Sequence, residues 1–276
     1  MLKHLEEYHR PRDLRQALEL LHRKEIPTHV LAGGTNLVLS KSPNIKAVVD
    51  LGELGLDFVE TGEVVRLGSM VRVQELVSNP KIKALANGVI SEAAKWEGTY
   101  AIRNLATVGG TIAVSESTSA LTALMLVLGA SVELNGESDQ KVPLEDLLDR
   151  KGKYIASNII TAIEFPNPKG WGFGLWKVAK LESDEPILLA VAAVKKENGK
   201  AEDVRLALGG VHRRPIRIEE MENMLKEAGT LDEMVKVIPR LGEMISPRSN
   251  IRASGEYRKE VAPVAARRAL TMAWEA

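Results

Sequence analysis

Two short turns, Ala32-Gly33-Gly34-Thr35-Asn36 and Thr107-Val108-Gly109-Gly110-Thr111, constrain this chain more than any other feature of its sequence. Each sets two glycines side by side next to a hydroxyl, and each follows a β-prone or extended segment. Glycine is the usual residue of a tight connection, so either turn alone reads most simply as a change of chain direction. A pair with matching chemistry has a second use. Brought together, the two turns present several backbone N–H groups with no side chain in the way, which is what the oxygens of a pyrophosphate require.

The segments around these turns are mixed helix and strand. Leu14, Ala17, Leu18 and Leu21 recur at helical spacing after Pro11, which suits a first-turn position. Short β-prone runs follow at 28–31, 47–51 and 63–67, with helical patterns at 73–77 and 89–95. A polar loop leads into the second glycine turn. Ser117, Thr118 and Ser119 offer cap oxygens to an apolar helix over 120–128, which Gly129 stops. Strands are expected at 131–134 and 159–165. Pro166-Asn167-Pro168-Lys169-Gly170 is the densest cluster of breakers and predicts a domain boundary. Beyond it, 173–178, 187–194 and 204–208 read as three strands of a small antiparallel sheet. Helices near 217–227, 231–240 and 254–273 close the chain. The class is α+β, with a first domain over 1–170 (subdomains of roughly 1–54 and 55–170) and a second over 171–276.

Bulk properties narrow the function. The 276 residues are 45% apolar and 27% charged, and 37 basic residues balance 37 acidic ones. A nucleic-acid binder shows a basic surplus or stripe, and none is visible. There is no cysteine, which excludes disulfides, thiolate catalysis and Cys-ligated zinc or iron–sulfur clusters from this chain. The opening Met1-Leu2-Lys3-His4-Leu5-Glu6-Glu7 has no apolar signal core. The apolar run 120–130 is interrupted by Thr122 and is too short to cross a bilayer. A soluble protein of the reducing cytoplasm is expected, with no membrane span.

Other sites fail on inspection. In Gly170-Trp171-Gly172-Phe173-Gly174, Leu175 stands where a dinucleotide fingerprint has its third glycine, and a strand follows instead of a helix. No P-loop and no nucleophile elbow is present. The five histidines (4, 9, 22, 29 and 212) lack metal-ligand spacing and read as surface or capping residues. His212-Arg213-Arg214 with Arg217 reads as a solvated turn and helix start, with anion binding as the alternative. Trp96, Tyr100, Trp171 and Trp176 read as packing residues, with a flavin edge as the alternative. No residue stands out as an acid–base catalyst.

At the glycine turns the sequence resembles a known family. Ala32-Gly33-Gly34-Thr35-Asn36-Leu37 is similar to the AGGTDL turn of FAD-binding medium subunits in the xanthine dehydrogenase and carbon monoxide dehydrogenase (molybdopterin dehydrogenase) family. Thr107-Val108-Gly109-Gly110-Thr111-Ile112-Ala113 is similar to their TIGGNIA turn. The likeness continues through 124–130, Ile163-Glu164-Phe165-Pro166, Lys177 with Asp184, and Leu208-Gly209-Gly210. It ends at Ser249-Asn250-Ile251-Arg252-Ala253-Ser254-Gly255-Glu256-Tyr257-Arg258, which resembles the family's SDxRGSAEYR segment. The pieces run in family order along almost the whole chain.

The resemblance implies a two-subdomain FAD-binding domain of the PCMH/xanthine dehydrogenase type, then a three-stranded antiparallel sheet with a helical bundle. It also implies an oxidoreductase subunit that is not catalytically complete alone. Electrons would arrive from iron–sulfur clusters on a small subunit, themselves fed by a molybdopterin-binding large subunit, and leave to an external acceptor. Carried over by position, FAD would contact Val30, Leu31, Ala32, Gly33, Gly34, Thr35, Asn36 and Leu37, then Thr107, Val108, Gly109, Gly110 and Thr111, with Ile160 and Lys177 lining the flavin. Some positions depart from the pattern: Thr111 replaces the family's asparagine, Ala120 replaces an aspartate that contacts the cofactor in relatives, and Glu116-Ser117 replaces the usual Ser-Pro before it. A lost hydrogen bond of this kind weakens a site by about 1–3 kcal/mol. The first turn is also similar to that of enolpyruvyl-UDP-acetylglucosamine reductases, which implies a self-contained flavin reductase as the alternative. A scaffold without cofactor is the third reading, motivated by Thr111 and Ala120.

Overall fold

The computed structural model describes residues 2–40, 42–136 and 139–276, so Met1 of the opening stretch lies outside the described residues. The chain forms two compact units, one gathering 1–75, 99–114 and 130–167, the other 76–98, 115–129 and 168–276. The stretch 1–170 therefore lends two segments to the second unit. They carry the helices Val89–Lys95 and Ala120–Val127, and every residue of the latter is buried. An apolar helix must be covered, but its sequence does not say by which sheet.

The first unit contains two sheets. In the smaller, parallel one, Ala47–Asp50 lies between Glu7–His9 and Thr28–Leu31. Glu7–His9 escaped the sequence reading because three residues cannot show alternation. The helix Leu14–Leu21 starts at Asp13, whose carboxylate accepts the Gln16 N–H at 2.8 Å. Pro11, expected inside the first turn, lies outside it, because the Asp13 cap fixes the start two residues later. Ala17, Val49, Leu51, Leu56 and Met70 form the apolar contact under this helix.

The larger sheet is antiparallel, in the order Val59–Glu60, Val64–Gly68, Ile159–Pro166, Ser131–Asn135, Gln140–Pro143. Burial alternates along Ser131–Asn135, as expected of a strand with one covered face. On its polar side Arg66 reaches Glu133 through two nitrogens, at 3.1 and 3.0 Å. The expected polar loop before the second glycine turn is instead the helix Tyr100–Leu105, capped by the Thr99 hydroxyl. Its apolar residues Tyr100, Ile102 and Leu105 are exposed, so no buried stripe marked it in the sequence.

The second unit packs the helix Gly255–Glu275 on a four-stranded antiparallel sheet, in the order Ile216–Arg217, Lys200–Gly209, Leu188–Glu197, Trp171–Val178. Three strands were expected; Ile216–Arg217, two residues long, is the fourth. The glycine-rich stretch at 170–174 finds its reason here. A Cβ at Gly174 would stand 2.0 Å from the Ala269 carbonyl oxygen, and one at Gly172 would stand 2.1 Å from that of Ala273. Those glycines, facing the buried Ala262, Ala265, Ala266, Ala269 and Ala273, let helix and sheet approach closely. Helices Glu219–Ala228 and Leu231–Val237 complete the layer, and a 3-10 segment over Ile238–Met244 replaces the end of the expected helix 231–240. Trp171 lies under Arg205 at 4.6 Å and Trp176 under Arg268 at 4.4 Å, so both rings stack on cations of their own unit. Among the described residues, no helix is long and apolar enough to cross a membrane.

Candidate functional site

The two glycine turns, remote in the chain, meet inside the first unit. The parallel strand Thr28–Leu31 delivers the first turn, and Gly34 adopts a left-handed φ of 72° that an L side chain would strain. The second pair is not a turn, as expected, but the start of the helix Val108–Val114. A helix starts there because Thr107 caps it, its hydroxyl accepting the Gly110 N–H and its carbonyl the Thr111 N–H. A Cβ at Gly33 would lie 2.0 Å from the Leu105 carbonyl oxygen, and one at Gly110 would lie 4.0 Å from the Ala32 Cβ.

The amides of the two pairs are used differently. Gly109 N–H donates to the Ser69 carbonyl at 2.8 Å, Gly110 N–H to the Thr107 hydroxyl at 3.1 Å, and Thr111 N–H to the Thr107 carbonyl at 2.9 Å. Among the described residues, nothing accepts from the amides of Gly33, Gly34, Thr35 or Asn36. Gly33, Gly34 and Thr35 are half-buried and Asn36 is exposed, so their amides are open to solvent or to a ligand. These four form the open donor set.

Gly33, Gly34 and Asn36 border a cavity of about 460 Å³. Of the residues expected at the site, Val30, Ala32, Gly33, Gly34, Asn36, Leu37, Gly109, Gly110 and Ile160 line it. Leu31, Thr35, Thr107, Val108 and Thr111 do not; Val108 and Thr107 are instead packed into the interior, almost without exposure. Lys177 belongs to the strand Trp171–Val178 of the second unit, where its ammonium lies 5.0 Å over the Trp96 ring and donates to the Glu182 carbonyl. Asp184, its companion in the sequence reading, closes a turn by accepting the Leu181 N–H at 3.2 Å.

The cavity holds residues that the sequence did not single out. His29 lines it, and its buried Nδ1 has no partner among the described residues. The surface or capping role read from the sequence is therefore wrong for His29; its place on the strand next to Val30 was the available signal. Ser69 lines the same wall with an equally orphaned Oγ. Nothing in the sequence marked it, since it lies in the turn after Val64–Gly68 and its position follows from the sheet before it. Leu51, Ala113, Ile155 and Ile159 supply apolar wall. Buried polar atoms without partners call for one, and a polar ligand in the cavity would supply it.

Ala120 is buried at the start of its helix in the second unit. A carboxylate is nevertheless present there. Glu97 accepts the Leu121 N–H at 2.7 Å and the Ser119 hydroxyl at 2.9 Å. Burial pushes its carboxyl up to about 7 against the pull of those bonds. Among the described residues, no group of histidine and acidic side chains is placed to hold a metal ion.

Comparison with known proteins agrees with this architecture along the chain. Residues 3–168 match the FAD binding domain in molybdopterin dehydrogenase, and residues 176–273 match the CO dehydrogenase flavoprotein C-terminal domain. The glyceraldehyde dehydrogenase medium chain of Sulfolobus acidocaldarius is 28% identical, covering 93% of this chain and 94% of its own length. The carbon monoxide dehydrogenase medium chain of Afipia carboxidovorans is 29% identical, covering 97% and 96%. Among solved structures, reconstituted CO dehydrogenase from Oligotropha carboxidovorans superposes with a TM-score of 0.85 at 27% identity, over 98% of both chains. The fold is thus the two-subdomain flavin-binding type with a C-terminal sheet-and-helix domain, and the chain belongs to the molybdopterin dehydrogenase family as an oxidoreductase subunit of the medium-chain type.

Proposed function

We propose that this chain is the FAD-binding electron-transfer subunit of a molybdenum-containing hydroxylase or dehydrogenase. In this reading it accepts electrons from iron–sulfur clusters on a small partner subunit, fed by a molybdopterin-binding large subunit, and passes them to an external acceptor. The observation that carries the proposal is the open donor set at 33–36, of which Gly33, Gly34 and Asn36 border a cavity that also holds two orphaned polar atoms. The chain has no cysteine, so the clusters belong to other chains. The reducing cytoplasm suits such an assembly.

The residues fit the cofactor. Amides of Gly33, Gly34, Thr35 and Asn36 would hold the pyrophosphate, and Gly109 and Gly110, packed closely on Ser69 and Thr107, would form the wall beside it. His29 Nδ1 and Ser69 Oγ would bond polar atoms of the cofactor, and Ile160 with Ile159 would exclude water from one wall. Lys177 is proposed to line the flavin. When bound, FAD supplies the one- and two-electron chemistry, and the protein supplies position and hydrogen bonds.

Titration of the full-length chain with FAD, followed by flavin fluorescence, tests the assignment. One FAD per chain is expected. Ala32→Asp, which places a carboxylate at the cavity wall, is expected to weaken binding about a hundredfold, or about 2.7 kcal/mol, while the far-UV spectrum is kept. A chain with no measurable FAD affinity, or a folded Ala32→Asp variant that binds as well as the parent, would refute the site. Partner chains are tested by pull-down from the native source: recovery without iron or molybdenum would refute the complex.

A further inference from the structure

The second unit contains a cavity of its own, of about 310 Å³, that the flavin site does not use. Its side chains include His212, Arg213, Arg248 and Arg258, with the hydroxyls of Ser117 and Ser246, and none of the described residues lining it is acidic. Arg213 and Arg248 are exposed, whereas Arg258 is 3% exposed. The cavity therefore has an open cationic mouth and a buried cationic floor.

Arg258 is the unusual member. One terminal nitrogen donates to the carbonyls of Ile187 at 2.8 Å and Gly210 at 2.7 Å, and the other to the Asn250 side-chain oxygen at 2.7 Å. All three acceptors are neutral, and its buried Nε has no partner. The Asn250 oxygen is already shared with the Arg252 N–H at 2.9 Å. A buried charge without a counter-charge is costly. Other arginines of the same unit are compensated: Arg217 forms two bonds to the Glu222 carboxylate, at 2.9 and 2.6 Å, and Arg252 pairs with Glu185. Gly210, with φ of 84°, keeps the space beside the guanidinium open, since a Cβ there would stand 3.2 Å from it and 2.4 Å from the Ile187 carbonyl oxygen. The fold therefore holds an uncompensated guanidinium beneath a pocket whose mouth carries two further ones.

We infer that this cavity binds an oxyanion of the phosphate class, gripped by Arg213 and Arg248 and drawn inward by the charge of Arg258. Guanidinium groups match the geometry of phosphate oxygens, and the buried positive charge supplies the field. Inorganic phosphate and the phosphate of a nucleotide share this chemistry.

Calorimetric and thermal titrations of the full-length chain, with chloride balancing the ionic strength, test the inference. Inorganic phosphate is expected to raise the unfolding temperature by about 3 °C at ten times its Kd. Arg213→Ser/Arg248→Ser is expected to weaken phosphate binding at least tenfold without lowering the unfolding temperature of the free chain, because both residues are exposed. Asn250→Asp, which gives Arg258 a carboxylate, is expected to weaken it about tenfold. Ala32→Asp, in the other cavity, is expected to leave this component intact. AMP binding tighter than phosphate, with adenosine inert, assigns the site to a nucleotide phosphate; equal affinities assign it to the free anion. Phosphate acting no differently from chloride would overturn the inference, as would binding that survives the arginine changes and disappears with Ala32→Asp.

Discussion

Gly33-Gly34 and Gly109-Gly110 stand side by side in the fold, yet their amides have opposite fates. In the first pair and the two residues after it, no acceptor is found among the described residues, and Gly34 sits in the left-handed region at φ 72°. In the second pair both amides are consumed inside the protein, by the Ser69 carbonyl and the Thr107 hydroxyl. There the missing Cβ matters for a different reason, since one at Gly109 would stand 2.5 Å from the Ser69 Cβ. Both pairs permit close contact, but only the first leaves its donors open. The same three letters, Gly-Gly-Thr, thus serve donation as well as packing in one place and packing alone in the other.

The sharpest way to break this contrast begins at Gly33. An alanine methyl would meet the Leu105 carbonyl oxygen at 2.0 Å, and backbone cannot step aside cheaply. Gly33→Ala is expected to displace the first turn and reduce FAD affinity at least a hundredfold by fluorescence titration, about 2.7 kcal/mol or more. Unchanged affinity would mean that the turn does not hold the cofactor. Gly109→Ala comes next. Overpacking against Ser69 is expected to lower stability by about 1–3 kcal/mol in urea unfolding. Adding Ser69→Gly should restore part of it, since the Ser69 carbonyl oxygen remains 2.9 Å from the new methyl. No recovery at all would show that the second pair is not a packing device.

Smaller effects sharpen the same distinction. Thr107→Val removes the acceptor of the Gly110 N–H while keeping side-chain volume at a buried position. Stability is expected to fall by about 1 kcal/mol, with FAD affinity within about threefold of the parent. A large loss of affinity at full stability would place the hydroxyl on the cofactor instead. The mildest change is Gly34→Ala, expected to cost about 1 kcal/mol through its left-handed backbone, with Gly34→Asn costing less. Equal stabilities of the two variants, measured by thermal unfolding, would show that the conformation has changed.

Much of the fold was legible because local signals agreed with it. Ser119 caps its helix through the Thr122 N–H at 3.1 Å, Gly129 ends it with φ of 68°, and the strands at 171–178, 188–197 and 200–209 lie where their apolar runs predicted. Elements without a pattern were lost: Glu7–His9 and Ile216–Arg217 are too short to alternate, and Tyr100–Leu105 shows its apolar residues to solvent. Of the residues expected at the candidate site, both glycine pairs and Ile160 line the cavity, while Leu31, Thr35, Thr107, Val108 and Thr111 do not. His29 could not be named in advance, because a lone histidine on a strand does not announce that its Nδ1 ends buried and unpaired.

By itself, the sequence determined the α+β class, the two glycine pairs and the absence of cysteine, since each depends on residue type or short-range spacing alone. Tertiary structure decided which helices join which unit, which glycines offer donors and which merely make room, and where Arg258 is left without a counter-charge. These depend on partners far away in the chain. Hydrogen-bond acceptors, neighbouring backbone and counter-ions are supplied by whatever the fold brings near, and no local pattern encodes them.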